Sequence, residues 1–349
     1  MFTRSQTGPG LAMVWGSPNH PEENDMLPTR FTDLVGCLAP VQQAGMGGVA
    51  TTELAAAVAR AGGLGMLSGV MVPPPALAAM LDAIPHDGDG AVGVNFLMPF
   101  IQGTEAVEVA AAGARVVELF YGGPDPALVD VVHRGGALAF WQVGSAHEAR
   151  AAVDAGCDAV VVQGTEAGGH VRGGTRLFPL LAAALDLVDV PVIAAGGIAT
   201  PRHVATALAA GASAVRVGTR FVATAESGAH PAYVDALLAA DAGDTVLTEA
   251  FSVMWPNAPH RVLGSCIDAA AAHDGDLVGE VGLGDEAMSI PRFAIIPPSR
   301  ETTGDIGAMA LYAGESVGSV TSVVPAADVV RELVEGAEAL LSTWNATST

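Results

Sequence analysis

The chain has 349 residues, half of them apolar and 15% charged, a globular composition of about two domains' length. Fifteen basic residues, all arginine, face 37 acids for a formal net charge of −22, and such a surface repels nucleic-acid backbones and anionic membranes. The absence of lysine excludes Schiff-base chemistry and a phosphate-loop lysine, and no apolar run reaches the ~18 residues of a membrane helix.

Residues 1–30 are rich in Pro, Asn and Glu and read as an N-terminal arm without the apolar core of a signal peptide, so the expected compartment is the cytoplasm. A rhythm of short apolar runs and Ala-rich helical stretches follows. The predicted strands are Gly36–Ala44, Leu64–Ser68, Val92–Leu97, Val116–Tyr121, Ala137–Val143, Ala159–Gln163, Pro191–Ala195 and Ala214–Gly218. Strands apolar almost throughout are buried on both faces, as in a parallel sheet covered by helices. Helix starts agree: Ser145-Ala-His-Glu148 is a capping box, and Asp125-Pro126 and Thr200-Pro201 set a cap before proline. Gly62, Gly113, Gly135, Gly156 and Gly211 stand where helices end. Eight such units predict an α/β fold, a (β/α)8 TIM barrel, over a doubly wound open sheet. The rhythm stops near Glu226. Residues 226–300 read as a smaller inserted second domain, with the barrel formed by 31–225 and 301–349 and a closing helix over about Ala326–Thr343.

The active site of such a barrel lies at the C-terminal ends of its strands. Those ends carry Ala44-Gly45-Met46 after strand one, Asn95 in strand three and Gln142 in strand five. Strand six runs from Gln163 through Gly168-Gly169-His170, strand seven ends at Gly196-Gly197, and strand eight at Arg216-Val217-Gly218-Thr219. Asn95, Gln142 and Gln163 suit a flat heteroaromatic ring. Backbone N–H groups and helix N-termini at Gly197 and Gly218-Thr219 suit a phosphate without lysine. Together they predict a flavin mononucleotide seat. His170, in a glycine-dense loop at the rim, is the candidate base, with no second His or Cys at metal-ligand spacing beside it. Glu166 orients this loop or the imidazole, or caps backbone amides. His133 and His147 read as surface residues, and Phe251, Met254 and Trp255 as the core of the inserted domain in preference to an apolar wall over the flavin. Cys37, Cys157 and Cys266 form no C-x-x-C pair and read as structural thiols.

Gly164-Thr-Glu-Ala-Gly-Gly-His170, Pro191-Val-Ile-Ala-Ala-Gly-Gly-Ile198 and Val217-Gly-Thr-Arg-Phe221 resemble the nitronate monooxygenases. So do Gly45-Met46, Gly93-Val-Asn95-Phe and Asn257-Ala-Pro-His-Arg-Val262, in family order over residues 31–320. The resemblance implies non-covalent FMN and oxidation of alkyl nitronates or nitroalkanes by O2 to carbonyl compounds and nitrite, with His170 as catalytic base. It places Asn95, Gln163, Gly168, Gly197 and Arg216–Thr219 at FMN-contacting positions, with Ala44–Met46 lining the flavin. Three departures stand out: Gly45 where proline is frequent, Arg216 where glutamine is usual, and Gly314-Glu315-Ser316 in place of a Gly-Gln pair. The Glu-Ala-Gly-Gly-His loop is shared by flavin-dependent enoyl-acyl-carrier-protein reductases. An NAD(P)H:quinone reductase and a flavin-binding protein without catalysis complete the alternatives. The sequence carries no signature of oligomeric state, and a homodimer is compatible with it.

Overall fold

The computed structural model describes residues 27–85, 87–284 and 286–347. Most of the expected arm therefore lies outside the described residues. Helix α1 (Arg30–Val35) opens behind the Thr29 cap, whose side chain accepts from Thr32 N while Thr32 Oγ1 accepts from Thr29 N. Its C-cap, Gly36, is left-handed at φ 78°, so the first strand cannot begin there as expected; β1 is only Val41–Gln43.

From β1 the chain alternates strand and helix: α2 (Thr52–Arg60), β2 (Leu64–Ser68), α3 (Pro74–Asp82), β3 (Ala91–Leu97), α4 (Glu105–Gly113), β4 (Val116–Phe120), α5 (Pro126–Gly135), β5 (Leu138–Val143), α6 (Ala146–Asp154) and β6 (Ala159–Gln163). A two-residue strand on the loop after β6, β7 (Gly169–His170), precedes α7 (Leu177–Leu185), β8 (Val192–Ala195), α8 (Pro201–Ala209) and β9 (Ala214–Val217). The strands β1-β2-β3-β4-β5-β6-β8-β9 close into a parallel barrel, each pair in parallel register. This is the (β/α)8 TIM barrel.

Asp125 and Thr200 cap α5 and α8 before proline, accepting from Ala127 N and His203 N. The capping box at Ser145 is half formed: Ser145 Oγ accepts from Glu148 N, but the Glu148 carboxylate turns to Gly144 N (2.9 Å) and Arg172 Nε (2.7 Å). Gly62, Gly156 and Gly211 adopt positive φ, whereas Gly113 and Gly135 are the last helical residues of α4 and α5, and Gly136 (φ 92°) ends α5.

Alternation along the strands divides the barrel interior into layers. The bottom is apolar: Leu64, Met66, Val116, Phe140, Val161 and Ile193 meet Phe31 and Val35 of α1, which plugs that end. The next layer is polar, with Gln42, Asn95, Glu118 and Gln142 buried in it. Outside, the helices share one continuous core with the opposite strand faces.

After β9 comes the four-residue helix α9 (Thr219–Val222), too short to cover the barrel. The smaller unit follows, with α10 (Pro231–Leu238), β10 (Thr245–Thr248), β11 (His260–Leu263), α11 (Gly264–Ala272), β12 (Leu277–Leu283), β13 (Glu286–Pro291) and β14 (Thr302–Gly304). The boundary expected at residue 300 cuts this unit: β14 pairs with β12, and Ile306, Met309, Leu311 and Val317 belong to its core. The chain then returns as α12 (Ala326–Thr347), whose Val329, Val330, Leu333 and Val334 pack against α8 and α2. A helix from beyond the insertion thus takes the eighth outer position. Among the described residues no helix is long and apolar enough to cross a membrane.

Candidate active site

A cavity of about 540 Å³ opens at the C-terminal ends of the barrel strands. His170, Ala44, Gly45, Met46, Asn95, Gln142, Gln163, Gly168, Gly169, Gly196, Gly197, Arg216, Gly218 and Thr219 all line it. Val217 does not. Its side chain lies in the outer core, and it serves only through its carbonyl, which accepts from Ala44 N at 2.9 Å.

The floor is a polar cluster around a residue that the sequence reading passed over. Glu118, in the middle of β4, has no exposed surface. One carboxylate oxygen accepts from Asn95 Nδ2 (2.8 Å) and from Arg216 Nη1, and the other accepts from Gln42 Nε2 (2.7 Å). Arg216 Nη1 also donates to Gln142 Oε1. The charge at 216 is therefore matched within the barrel, by an ion pair whose partners are almost fully buried. A single acid inside an otherwise apolar strand was the available signal, because a buried charge needs a partner. Beside this cluster Gly45 fits for steric reasons: a Cβ there would stand 2.7 Å from Asn95 Cβ and 2.9 Å from Leu67 O.

The wall is the loop after β6. β7 pairs antiparallel with β11, setting His170 opposite His260 and Gly169 opposite Arg261, and the small unit's sheet runs β10-β11-β7. Gln163 Nε2 donates to His170 O (2.9 Å), so this amide holds the loop. Arg261 Nε and Nη2 both donate to Thr165 O (3.0 and 2.9 Å). Glu166 accepts from Leu177 N at the start of α7; of its expected roles this is the capping one. Glu315 pairs with Arg176 and Arg261 (3.2 Å each).

His170 stacks on Trp255 with ring centroids 4.1 Å apart and 24° between planes. Neither ring nitrogen has a hydrogen-bond partner among the described residues, and Nε2 is fully buried. Burial, reinforced by His260 at 5.4 Å, pushes the imidazole down to about 3, so it is neutral at physiological pH. His260 is itself held neutral: its Nε2 accepts from Phe251 N (3.2 Å), leaving Nδ1 to donate to Ala258 O (2.9 Å). Burial also pushes His260 below the ordinary histidine range.

The expectation that Phe251, Met254 and Trp255 are all core of the small unit is corrected for two of them. Phe251 is core, but Trp255 and Met254 line the cavity. Met254 and Met71 both reach it from left-handed backbone (φ 79° and 59°), conformations that side chains resist. Val281 and Met288 of the β12–β13 hairpin extend this apolar rim.

Opposite lie the glycine turns. Gly196 and Gly197 both have positive φ, and α8 begins only at Pro201, so this end is a turn and no helix N-terminus. At Gly218 a Cβ would meet nothing closer than Ala44 Cβ at 3.6 Å, so the protein leaves that space to the cavity. Thr219 Oγ1 accepts from Gly314 N (3.0 Å), tying this end to the small unit.

A family model described as nitronate monooxygenase matches residues 28–111 and 101–336. The chain belongs to the nitronate monooxygenase family. It is similar to a (3aS,4S,5R,7aS)-5-hydroxy-7a-methyl-1-oxo-octahydro-1H-indene-4-carboxyl-CoA dehydrogenase of Rhodococcus jostii, 35% identical over 73% of this chain and 71% of that one. Among solved structures it is similar to FabK of Thermotoga maritima (TM-score 0.77, 28% identity, 92% and 99% of the two chains). It is also similar to a nitroalkane oxidase of Streptomyces ansochromogenes (TM-score 0.71, 30% identity, 89% and 100%). As a nitronate monooxygenase family member it is an oxidoreductase, and a flavin is the cofactor that membership implies. The site fits such a group on its own terms. It offers a space at Gly218 that any Cβ would fill, an orphaned imidazole nitrogen, and a floor of amides suited to a heteroaromatic ring.

Proposed function

We propose that this chain is an FMN-dependent enzyme that oxidises alkyl nitronates, and the nitroalkanes that yield them, with O2 to a carbonyl compound and nitrite. The observation that carries this reading is His170: an imidazole on the cavity wall with neither nitrogen hydrogen-bonded among the described residues. Such a ring is free to accept a proton from a carbon acid. Nδ1, the nitrogen that is not buried, takes the α-proton of a neutral nitroalkane; the C–H electron pair passes into the nitro group, and the imidazolium stays beside the nitronate anion. A preformed nitronate bypasses this step. The stack on Trp255 and the β7–β11 pairing hold the ring for the transfer. The turns at Gly196-Gly197 and Gly218-Thr219 would hold the phosphate through backbone N–H groups, and Asn95, Gln142 and Arg216 would meet the ring. FMN, when bound, supplies the electron acceptor and the route to O2.

The apolar rim of Met71, Met254, Val281 and Met288 favours a second reading, in which the carbon acid is a bulky acyl thioester. One experiment separates the two. The purified protein is mixed without oxygen with propionate 3-nitronate, with NADPH, or with a bulky acyl-CoA. Flavin bleaching by the nitronate and not by NADPH, with nitrite released once oxygen is admitted, is the expected result. Bleaching by NADPH alone makes the protein a reductase, and bleaching by the thioester alone favours the second reading. His170→Asn is expected to abolish turnover of neutral nitroalkanes while largely sparing preformed nitronates; equal loss on both removes the base assignment.

A further inference from the structure

We infer that Glu118, which does not line the cavity, is a positioning residue that sets the donor and acceptor pattern of the cavity floor. An ionised carboxylate only accepts hydrogen bonds, and three donors converge on this one: Gln42 Nε2, Asn95 Nδ2 and Arg216 Nη1. The orientation of each neighbour is thereby forced. Asn95 must turn its nitrogen inward, which leaves Oδ1 as an acceptor. Arg216 Nη1, anchored on Glu118, holds Gln142 by its oxygen and leaves Gln142 Nε2 as a donor.

Neither Asn95 Oδ1 nor Gln142 Nε2 has a partner among the described residues, and neither is a buried orphan; in this cluster only Gln42 Oε1 is both buried and unpartnered. Since Asn95, Gln142 and Arg216 line the cavity, their free groups are presented there. The floor thus offers one acceptor, from Asn95, and two donors, one of them the cationic Arg216. That pattern complements a planar heterocycle whose edge carries one N–H between carbonyl oxygens, and the inference rests on the proposed flavin reading. Glu118 also offsets the Arg216 charge, which stands where the family usually has a neutral glutamine.

Two variants separate orientation from charge, read by FMN fluorescence titration and by the midpoint potential of the bound flavin. In Glu118→Gln, the new Oε1 keeps both its donors, and Gln42 is able to turn its orphan Oε1 toward the new amide. Orientation survives, so Kd stays close to wild type. The midpoint rises, because the cation at 216 is no longer offset and reduction adds negative charge beside it. Glu118→Leu/Arg216→Gln removes the lock without leaving an unpaired buried charge, a change that folds tolerate. It is expected to weaken FMN binding by about ten-fold or more, the worth of one or two lost hydrogen bonds. A folded double variant with wild-type Kd overturns the inference, as does an unchanged midpoint in Glu118→Gln. A wild-type protein that takes up no FMN overturns the cofactor reading itself, which none of the variant results imitates.

Discussion

At Gly218 the space left by a missing side chain is open on the protein side, with Ala44 Cβ and Met46 Sδ at ordinary contact distances of 3.6 and 3.9 Å. Gly218→Ala should therefore leave the unfolding midpoint in urea within the ~0.5 kcal/mol of a neutral change. The same methyl group enters the cavity, so FMN affinity should fall in a fluorescence titration; unchanged affinity would place the cofactor elsewhere. His170 carries a prediction of another kind. Its folded value of about 3 lies below the ordinary 6.5, so protons bind the unfolded chain more readily. Its contribution to stability is complete above about pH 6.5 and is lost progressively as the pH falls toward 3. Thermal midpoints between pH 7 and 4 should drop less in His170→Gln than in wild type, and parallel curves would contradict the assignment. Rim residues such as His170 and the glycines were legible because they follow the C-terminal ends of predicted strands, where a barrel carries its site. Glu118 was not read, because its role appears only when β3, β4 and β9 are seen to enclose it together with Asn95 and Arg216.

Among the elements, α1 shows how a short helix acts through one side chain. Phe31 has no exposed surface and sits against Phe140 inside the barrel bottom, ring centroids 6.3 Å apart. Phe31→Ala should cost about 3–5 kcal/mol in denaturant unfolding, the usual penalty for an aromatic cavity in a core. Its distance from the strand ends predicts unchanged FMN affinity in whatever fraction folds. Apolar periodicity revealed the long strands and capped helices because burial on two faces writes itself into composition. β1 was overextended because Cys37–Pro40 is as apolar as a strand, yet it follows a left-handed cap. The small unit's end was misplaced because β14 is three residues paired far back along the chain, a pairing with no local signature. β7 had none either, since a glycine and a histidine form a strand only where β11 supplies the partner.

Taken whole, the molecule keeps its reactive sulfur inside. All three cysteines are buried and unpaired, and burial pushes the thiols of Cys37 and Cys157 up to about 12 and that of Cys266 to about 11. A thiol reagent should label none of them at pH 8 in the native protein and all three in guanidinium, as counted by mass spectrometry. The barrel architecture and the place of its site were readable because eight repeats reinforce one another. The shape of the second unit was not, because its two small sheets are completed by β7 and β14, short strands that pair with partners distant in sequence. Most of the predicted cofactor seat is carried by the barrel strands and their loops, whereas the imidazole is held from the far side by a strand of the smaller unit. Mild denaturant that frays that unit first would leave a protein still yellow and already inert. Colour and turnover would then fade at different concentrations, and a sample's absorbance would overstate the enzyme in it.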